Sequence, residues 1–393
     1  MISVGEAKKI IDNSVQPLDG VKISLHDAWD TVLAQDVYAI QDIPAYPQSS
    51  MDGYAFAFND LLQQKMLAIV GESAAGNRKE FSLGANTATR IFTGAAVPDG
   101  ADTVVMQEKV IVTDGMLLVN DDTVIKGSNV RISGSEIKKG DLALSKGTYL
   151  SPAALGFLSG IGITHVVAHQ KPKITIIVTG NELKTIGEPL QYGEVYESNS
   201  FALTAALKQF HLSPYKIMKA EDDPVELKNI MQQALNESDM LLLTGGVSVG
   251  EYDFVTGVAA DCGIKTLFHK IKQRPGKPLF FGMKNEKVVF GLPGNPSSVL
   301  TCFYEYVINA IGKITNGFQQ IRIAKAPLAA PFRKNIPFTQ FLKGYYDGTS
   351  VTPLSAQESY KMNSYAKSNC LIVLEEKDEE CKVGVIKEIH LII

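Results

Sequence analysis

Three short, mostly apolar runs punctuate the middle of the chain: Ile174-Thr-Ile-Ile-Val178, Met240-Leu-Leu-Leu243 and Val288-Val-Phe290. Each is too short for a free-standing helix and rich in branched or aromatic side chains, which predicts strands buried on both faces. Between them the apolar positions open out to the helical period, over residues 199–212 and, after an Asp-Asp-Pro start, over residues 224–236. Strand, loop and helix alternate in this way from about residue 173 to 312, which predicts a mostly parallel sheet with helices on its faces. The flanking regions carry a different pattern. Residues 80–150 read as β-rich, with a hairpin over residues 110–119 turning at Asp114-Gly115. Residues 341–393 predict another hairpin at Asp347-Gly348 and strands over residues 370–374 and 383–393, the content of a separate small barrel or sandwich. The opening stretch Met1-Ile-Ser-Val-Gly-Glu-Ala-Lys-Lys-Ile10 has the spacing of an amphipathic helix.

Each central strand runs into a glycine-bearing loop: Thr179-Gly-Asn-Glu182, Thr244-Gly-Gly-Val-Ser-Val-Gly250 and Gly291-Leu-Pro-Gly-Asn-Pro296. One such loop would be an ordinary turn. Three at the carboxyl edge of one parallel sheet predict a ligand site, because that edge is where open α/β sheets bind. The third loop opens a helix with apolar Val299, Phe303, Val307 and Ile311, in which Asn295 is the expected N-cap and Pro296 the first helical residue. The backbone N–H groups near Ser297 and Ser298 then either face an anion or belong to a plain capped helix, and the pattern leaves both open. Arg274-Pro-Gly-Lys277, with Lys272 just before it, sets cations in a rigid turn, either solvated or in contact with an anion. Asp253, just beyond the middle loop, is different: phosphate binding requires no carboxylate there, so something cationic or a proton to be moved is implied.

With 393 residues the chain exceeds a single core, and two to four domains are expected. A hydrophobic fraction of 45%, 20% charged residues and a net charge of −4 argue against a general nucleic-acid or membrane-surface binder, so an anionic ligand must be met by local design. Cys262, Cys302, Cys370 and Cys381 form no C-x-x-C pair and have no zinc-like His spacing, as expected of reduced thiols. The first residues lack an export-signal pattern and no apolar run approaches the ~20 residues that cross a bilayer, so a soluble cytoplasmic protein is expected.

Taken together, Met51-Asp-Gly-Tyr54, Phe92-Thr-Gly-Ala95, Val104-Val-Met-Gln-Glu108, the loop from Thr244 to Gly250, Pro275-Gly-Lys-Pro278 and the loop from Gly291 to Pro296 resemble, in order and over essentially the whole chain, the bacterial molybdopterin molybdenumtransferase family, which is related to the E domain of gephyrin. The resemblance implies a multidomain α/β plus β protein. It implies a three-layer α/β molybdopterin-binding domain from residues 1–19 and 173–319, a dimerisation segment from 20–45 and 139–172, a β-rich second domain at 46–138 and a C-terminal β-barrel at 320–393. It also implies insertion of molybdate into adenylated molybdopterin with Mg²⁺, releasing AMP and leaving molybdenum cofactor, by an elongated homodimer whose further partners would be the adenylyltransferase and molybdoenzyme maturation proteins. Carried over position by position, it implies Asp52, Glu182, Asp253 and Lys277 as catalytic residues and Glu182, Asp253 and Glu136 as Mg²⁺ ligands. Thr93, Gly94, Arg131, Gly245, Gly246, Ser248, Gly250, Arg274, Pro293, Gly294, Asn295 and Ser298 would bind substrate. On this reading Asp253 serves the metal, and metal-ligand cysteines are absent because the dithiolene sulfurs of the pterin take the molybdenum.

Some positions depart from the family pattern. Asn181 stands where Asp is usual, Glu136 and Glu197 stand for Asp, Arg274 for a frequent Lys, and Thr339-Gln-Phe-Leu-Lys343 replaces an arginine-bearing strand start, leaving Lys343 its only cation. Two alternatives stay open: a molybdopterin adenylyltransferase, against which the N-terminal motifs speak because that relative is typically one short domain, and a non-catalytic pterin-binding scaffold.

Overall fold

The computed structural model describes residues 1–76, 82–246, 254–317 and 320–392. It divides into two units, one of residues 1–21, 30–34 and 168–393, the other of residues 22–29 and 35–167.

In the first unit the expected alternation folds into a six-stranded sheet, in the order Lys216–Ala220, Ile174–Thr179, Met240–Thr244, Lys287–Leu292, Pro278–Lys284, Lys265–Lys270. The first four are parallel, and Pro278–Lys284 runs against both its neighbours. Ile174–Thr179 and Met240–Thr244 are buried at every residue, which is why they appear in the sequence as runs and not as alternation. Successive side chains still go to opposite layers. Ile174, Ile176 and Val178 share a core with Ile11, Leu207 and Phe303, whereas Ile177 and Leu241 share one with Leu227, Met231 and Val258. Each fully buried side chain of this size contributes about 1.5–3 kcal/mol.

The helices begin where local chemistry dictates. Asp223 caps Pro224–Glu237 by accepting from the N–H groups of Val225 and Glu226, with Pro224 in the first turn. The N-terminal helix is Val4–Ser14, opened by a reciprocal Ser3–Glu6 capping box and burying Ala7 and Ile11. The helix after the third glycine loop departs from the expected uniform period: Pro296–Cys302 passes through a π-helical turn, Phe303–Val307, before Ile308–Ile314 resumes. The wider turn lets three neighbouring residues reach inward to polar partners. Tyr304 bonds Gln209, Glu305 bonds Lys8 and His390, and Tyr306 bonds Gln273.

At the C-terminal end of this unit, Gln273–Arg274, Thr339–Tyr346, Cys370–Leu374, Ile386–Leu391 and Arg322–Pro327 lie in that order, with Val351–Pro353 also on Thr339–Tyr346. A bridge from Leu328 to Val351 joins the last strand back to the hairpin and closes the ring, so the expected barrel is present, filled by Leu342, Val351, Ile372 and Ile389. The expected hairpin at Asp347-Gly348 pairs Tyr346 with Val351, and the last strand is shorter than expected, Ile386–Leu391.

The second unit is built on another six-stranded sheet, in the order Thr103–Met106, Gly53–Phe56, Thr87–Ile91, Met66–Ser73, Met116–Val119, Val110–Thr113. The expected hairpin turns at Asp114 and Gly115, both at positive φ. Gly53 is fixed by packing: a Cβ there would lie 1.8 Å from the Val105 carbonyl oxygen.

Candidate functional site

Because four strands of the first unit run parallel, Thr179, Thr244 and Leu292 deliver their loops side by side at one sheet edge. The loops touch. Gly245 has φ 89°, and a Cβ on it would lie 2.4 Å from the Thr179 carbonyl oxygen, so no other residue fits without moving backbone. A Cβ on Gly294 would fall 3.9 Å from Gly245 Cα. Behind them opens a cavity of ≈ 630 Å³ whose walls include Glu182, Asp222, Asn199, Gly245, Gly246 and Gly294. A second cavity of ≈ 420 Å³ adjoins it, lined by Arg274, Lys277, Ser298 and Ser359, and Pro278, Pro293, Asn295 and Tyr360 belong to both. Both volumes lie in the range of small-molecule sites.

The cationic turn is held from beneath. Gln273, 1% exposed, donates through Nε2 to the carbonyls of Pro275 at 3.1 Å and Gly276 at 3.0 Å, while its Oε1 accepts from the fully buried Tyr306 hydroxyl. That hydroxyl reaches Gln273 from the π-helical turn, where burial pushes its ionisation well above the ordinary tyrosine value. Next to it the buried Glu305 carboxylate pairs with Lys8 Nζ at 2.7 Å and His390 Nδ1 at 2.6 Å. Burial opposes its ionisation, yet the Lys8 charge and the His390 hydrogen bond keep its pKa below the usual value.

The outer wall of the second cavity comes from residues 357–360 of the barrel. Lys343, a residue 2% exposed, organises this segment from inside: its ammonium donates to the carbonyls of Ala356 at 2.7 Å, Lys361 at 3.1 Å and Glu358 at 3.2 Å. Burial lowers its pKa. Lys343 thus bonds main chain and shapes the wall. Ser359 then ties the wall to the third glycine loop, its carbonyl accepting from Ser297 N at 3.1 Å and its hydroxyl from Asn295 Nδ2 at 3.1 Å. Asn295 occupies the expected N-cap position, but its side chain makes this link instead of capping the helix.

Of the residues singled out in the sequence, Glu182, Gly245, Gly246, Pro293, Gly294 and Asn295 line the first cavity, and Arg274, Lys277 and Ser298 the second. Ser248, Gly250 and Asp253 lie outside the described residues. Asp52, Thr93, Gly94, Arg131 and Glu136 belong to the second unit. There Asp52 Oδ1 accepts from both the N–H and the hydroxyl of Thr93, each at 2.8 Å, and these bonds lower its pKa. Gly94, at positive φ, donates its N–H to the Ser49 carbonyl. Arg131 is exposed opposite Gln48, and exposed Glu136 bonds the Ile43 carbonyl through its N–H. Among the described residues no three His, Cys, Asp or Glu side chains gather closely enough to hold a metal ion.

Two departures acquire a structural meaning. Asn181 and Asp222 bond reciprocally, N–H to carboxylate at 3.3 Å and N–H to amide oxygen at 3.1 Å, so a carboxylate from the next loop borders the cavity beside the neutral Asn181. Glu197 caps the Asn199–Gln209 helix by accepting from Ser200 N at 2.8 Å. Sequence reasoning missed Asp222, Asn199 and Tyr360. The first reads as part of a helix start, the second as the opening residue of a helical period, and Tyr360 carries no spacing signal.

The chain matches three family models in succession: the MoeA N-terminal region (domain I and II) over residues 2–162, a probable molybdopterin binding domain over 175–313, and the MoeA C-terminal region (domain IV) over 325–391. It is 32% identical to the molybdopterin molybdenumtransferase of Haemophilus influenzae, covering 98% of this chain and 97% of that one. It is 31% identical to that of Staphylococcus epidermidis, covering 99% and 95%. The crystal structure of the molybdopterin biosynthesis moeA protein from Pyrococcus horikoshii OT3 superposes with a TM-score of 0.80 at 30% identity, covering the whole of both chains.

Proposed function

The chain belongs to the molybdopterin molybdenumtransferase family, an enzyme family of molybdenum cofactor biosynthesis, and from that premise we propose that it inserts molybdate into adenylated molybdopterin with Mg²⁺, releasing AMP. The observation that carries the reading is the pair of adjoining cavities. One is walled by glycine loops and the carboxylates of Glu182 and Asp222, and the other by Arg274 and Lys277. The substrates ask for such a pair: a pyrophosphate-linked pterin needs backbone N–H donors, and the molybdate dianion needs cations close by. Arg274 and Lys277 then hold an anion against the pterin while the shared residues Pro293 and Asn295 keep the two ligands in contact.

Mg²⁺ takes oxygen donors and keeps several waters, and Glu182 and Asp222, with Asp253 from the middle loop, offer carboxylate oxygens of that type. Bound there, the ion would supply charge neutralisation for the phosphates. The molybdenum would be ligated by the dithiolene sulfurs of the pterin, and the four cysteines of the chain are buried. Cys370, for one, has its thiol pushed up to about 12 by burial.

The remaining assignments are proposals that rest on the motif resemblance: Asp52, Thr93, Gly94, Arg131 and Glu136 act on substrate or metal, Ser248 and Gly250 bind the phosphates, and residues 20–45 and 139–172 form a homodimer interface. Exposed Tyr38 and Leu142, cross-strand partners in those segments, support the last point. No helix among the described residues is long and apolar enough to cross a membrane.

Glu182→Gln tests the reading. It keeps shape and removes one charge, so adenylated molybdopterin should bind as well or slightly better without metal, while turnover falls by about 10²–10³. Raising Mg²⁺ should recover part of it. Near-normal turnover at limiting Mg²⁺ would overturn the metal assignment.

A further inference from the structure

The Asn199–Gln209 helix begins at the wall of the first cavity, and its first residue carries a polar atom that the fold leaves unused. Asn199 is 8% exposed. Its Nδ2 donates to the Gly294 carbonyl at 2.9 Å, which fixes the amide orientation, since the oxygen cannot face that carbonyl. Oδ1 therefore points the other way, buried, with no hydrogen-bond partner among the described residues. A buried acceptor left without a donor is costly enough to need an explanation. The helix N-terminus supplies none: the Ser200 N–H is taken by the Glu197 carboxylate, and Oδ1 accepts from none of the helix's N–H groups. What is missing at Asn199 is a hydrogen-bond donor.

Resting on the reading of this cavity as a pterin nucleotide site, we infer that Asn199 Oδ1 accepts a hydrogen bond from an exocyclic amine of the bound heterocycle and so selects amino-bearing rings. Adenylated molybdopterin offers that chemistry twice, on the pterin and on the adenine. The Asn199 link to Gly294 places the acceptor in register with the loop that lies against Gly245, so amine recognition and phosphate binding share one rigid frame. A ring with a carbonyl in place of the amine would set two acceptors face to face.

Paired probes distinguish the two sources by calorimetry on the intact protein: 2-amino-4-oxopteridine against 2,4-dioxopteridine, and AMP against IMP. One pair should show a preference of about tenfold or more for the amino form, the scale set by an unpaired buried group, and the other pair little preference. The preferring pair identifies the ring. Asn199→Ala should bring that ratio to about one while the non-discriminated pair keeps its affinity. Equal binding within both pairs in the unaltered protein, or a preference that survives Asn199→Ala, would overturn the inference and leave the cavity's assignment standing. Failure of every probe to bind would defeat the cavity's assignment and the inference with it.

Discussion

Removing a single oxygen from Tyr306 should loosen the cationic turn without disturbing the core around it. Tyr306→Phe keeps the ring, which is fully buried, and deletes the hydroxyl that donates to Gln273 Oε1. Gln273 is then left with a buried acceptor and no donor, at a cost of about 1–3 kcal/mol. Its Nε2 still faces the Pro275 and Gly276 carbonyls, but nothing holds the amide plane against them. The turn cannot shift freely, since a Cβ on Gly276 would already lie 2.4 Å from Cys302 Sγ. The expected result is therefore a loss of about 1–3 kcal/mol in urea unfolding together with a several-fold weaker affinity for an anion such as molybdate. Gln273→Met should cost more, because the Pro275 and Gly276 carbonyls lose their donor as well. The double variant should cost less than the sum, because neither polar partner is left stranded, and the coupling should be about 1–2 kcal/mol. Purely additive losses, or a Tyr306→Phe protein with unchanged molybdate affinity, would show that the π-helical turn does not support the anion site.

Three further outcomes can be checked. Arg274→Ala and Lys277→Ala should each weaken binding of the anionic substrate by about 1.5–3 kcal/mol, more at low salt, and calorimetry giving unchanged affinity would remove both residues from the site. Gly245→Ala should impair binding more than folding: its positive φ alone strains an alanine by about 1–2 kcal/mol, and the clash with the Thr179 carbonyl displaces the loop, so equal pterin binding by the two proteins would contradict the geometry. For His390, burial disfavours the charged imidazole, but the Glu305 hydrogen bond and charge prevail and raise its pKa. A raised folded value means that the stabilisation is complete below the unfolded value near 6.5 and fades as pH rises through the folded one. Unfolding free energies of the protein and of His390→Gln should therefore converge as pH rises from 6 to 9, and a constant gap would exclude the linkage.

Burial on both faces is what made the central strands legible: it leaves runs such as Met240-Leu-Leu-Leu243 and sets glycines at their ends. Asp114-Gly115 and Gly348 mark their hairpins because positive φ admits few residues, and Asp347 because its carboxylate accepts from the N–H groups of Thr349 and Ser350. The π-helical turn was hidden, since Val299, Phe303, Val307 and Ile311 keep a helical period, and Glu305 turns inward only because Lys8 and His390 arrive from opposite ends of the chain. That Lys343, the only cation in its strand start, is turned inward could not be read locally, because the three carbonyls it holds come from residues 13 to 18 positions further on. Asp222 and Asn199 acquire their places from Asn181 and Gly294, 41 and 95 residues away, a distance no local pattern spans. The glycine and cationic motifs were visible because each is short and chemically unusual, whereas the walls between them come from residues with ordinary neighbours.

The most direct measurement supplies adenylated molybdopterin, molybdate and Mg²⁺ to the protein and follows AMP release and molybdenum cofactor formation in the same sample. The expected result is release of one AMP for each molybdenum cofactor formed, with neither appearing when molybdate is left out. Tight binding of adenylated molybdopterin with no AMP released would mark a pterin-binding scaffold, and AMP released at the same rate without molybdate would mean that the protein cleaves the nucleotide without inserting the metal.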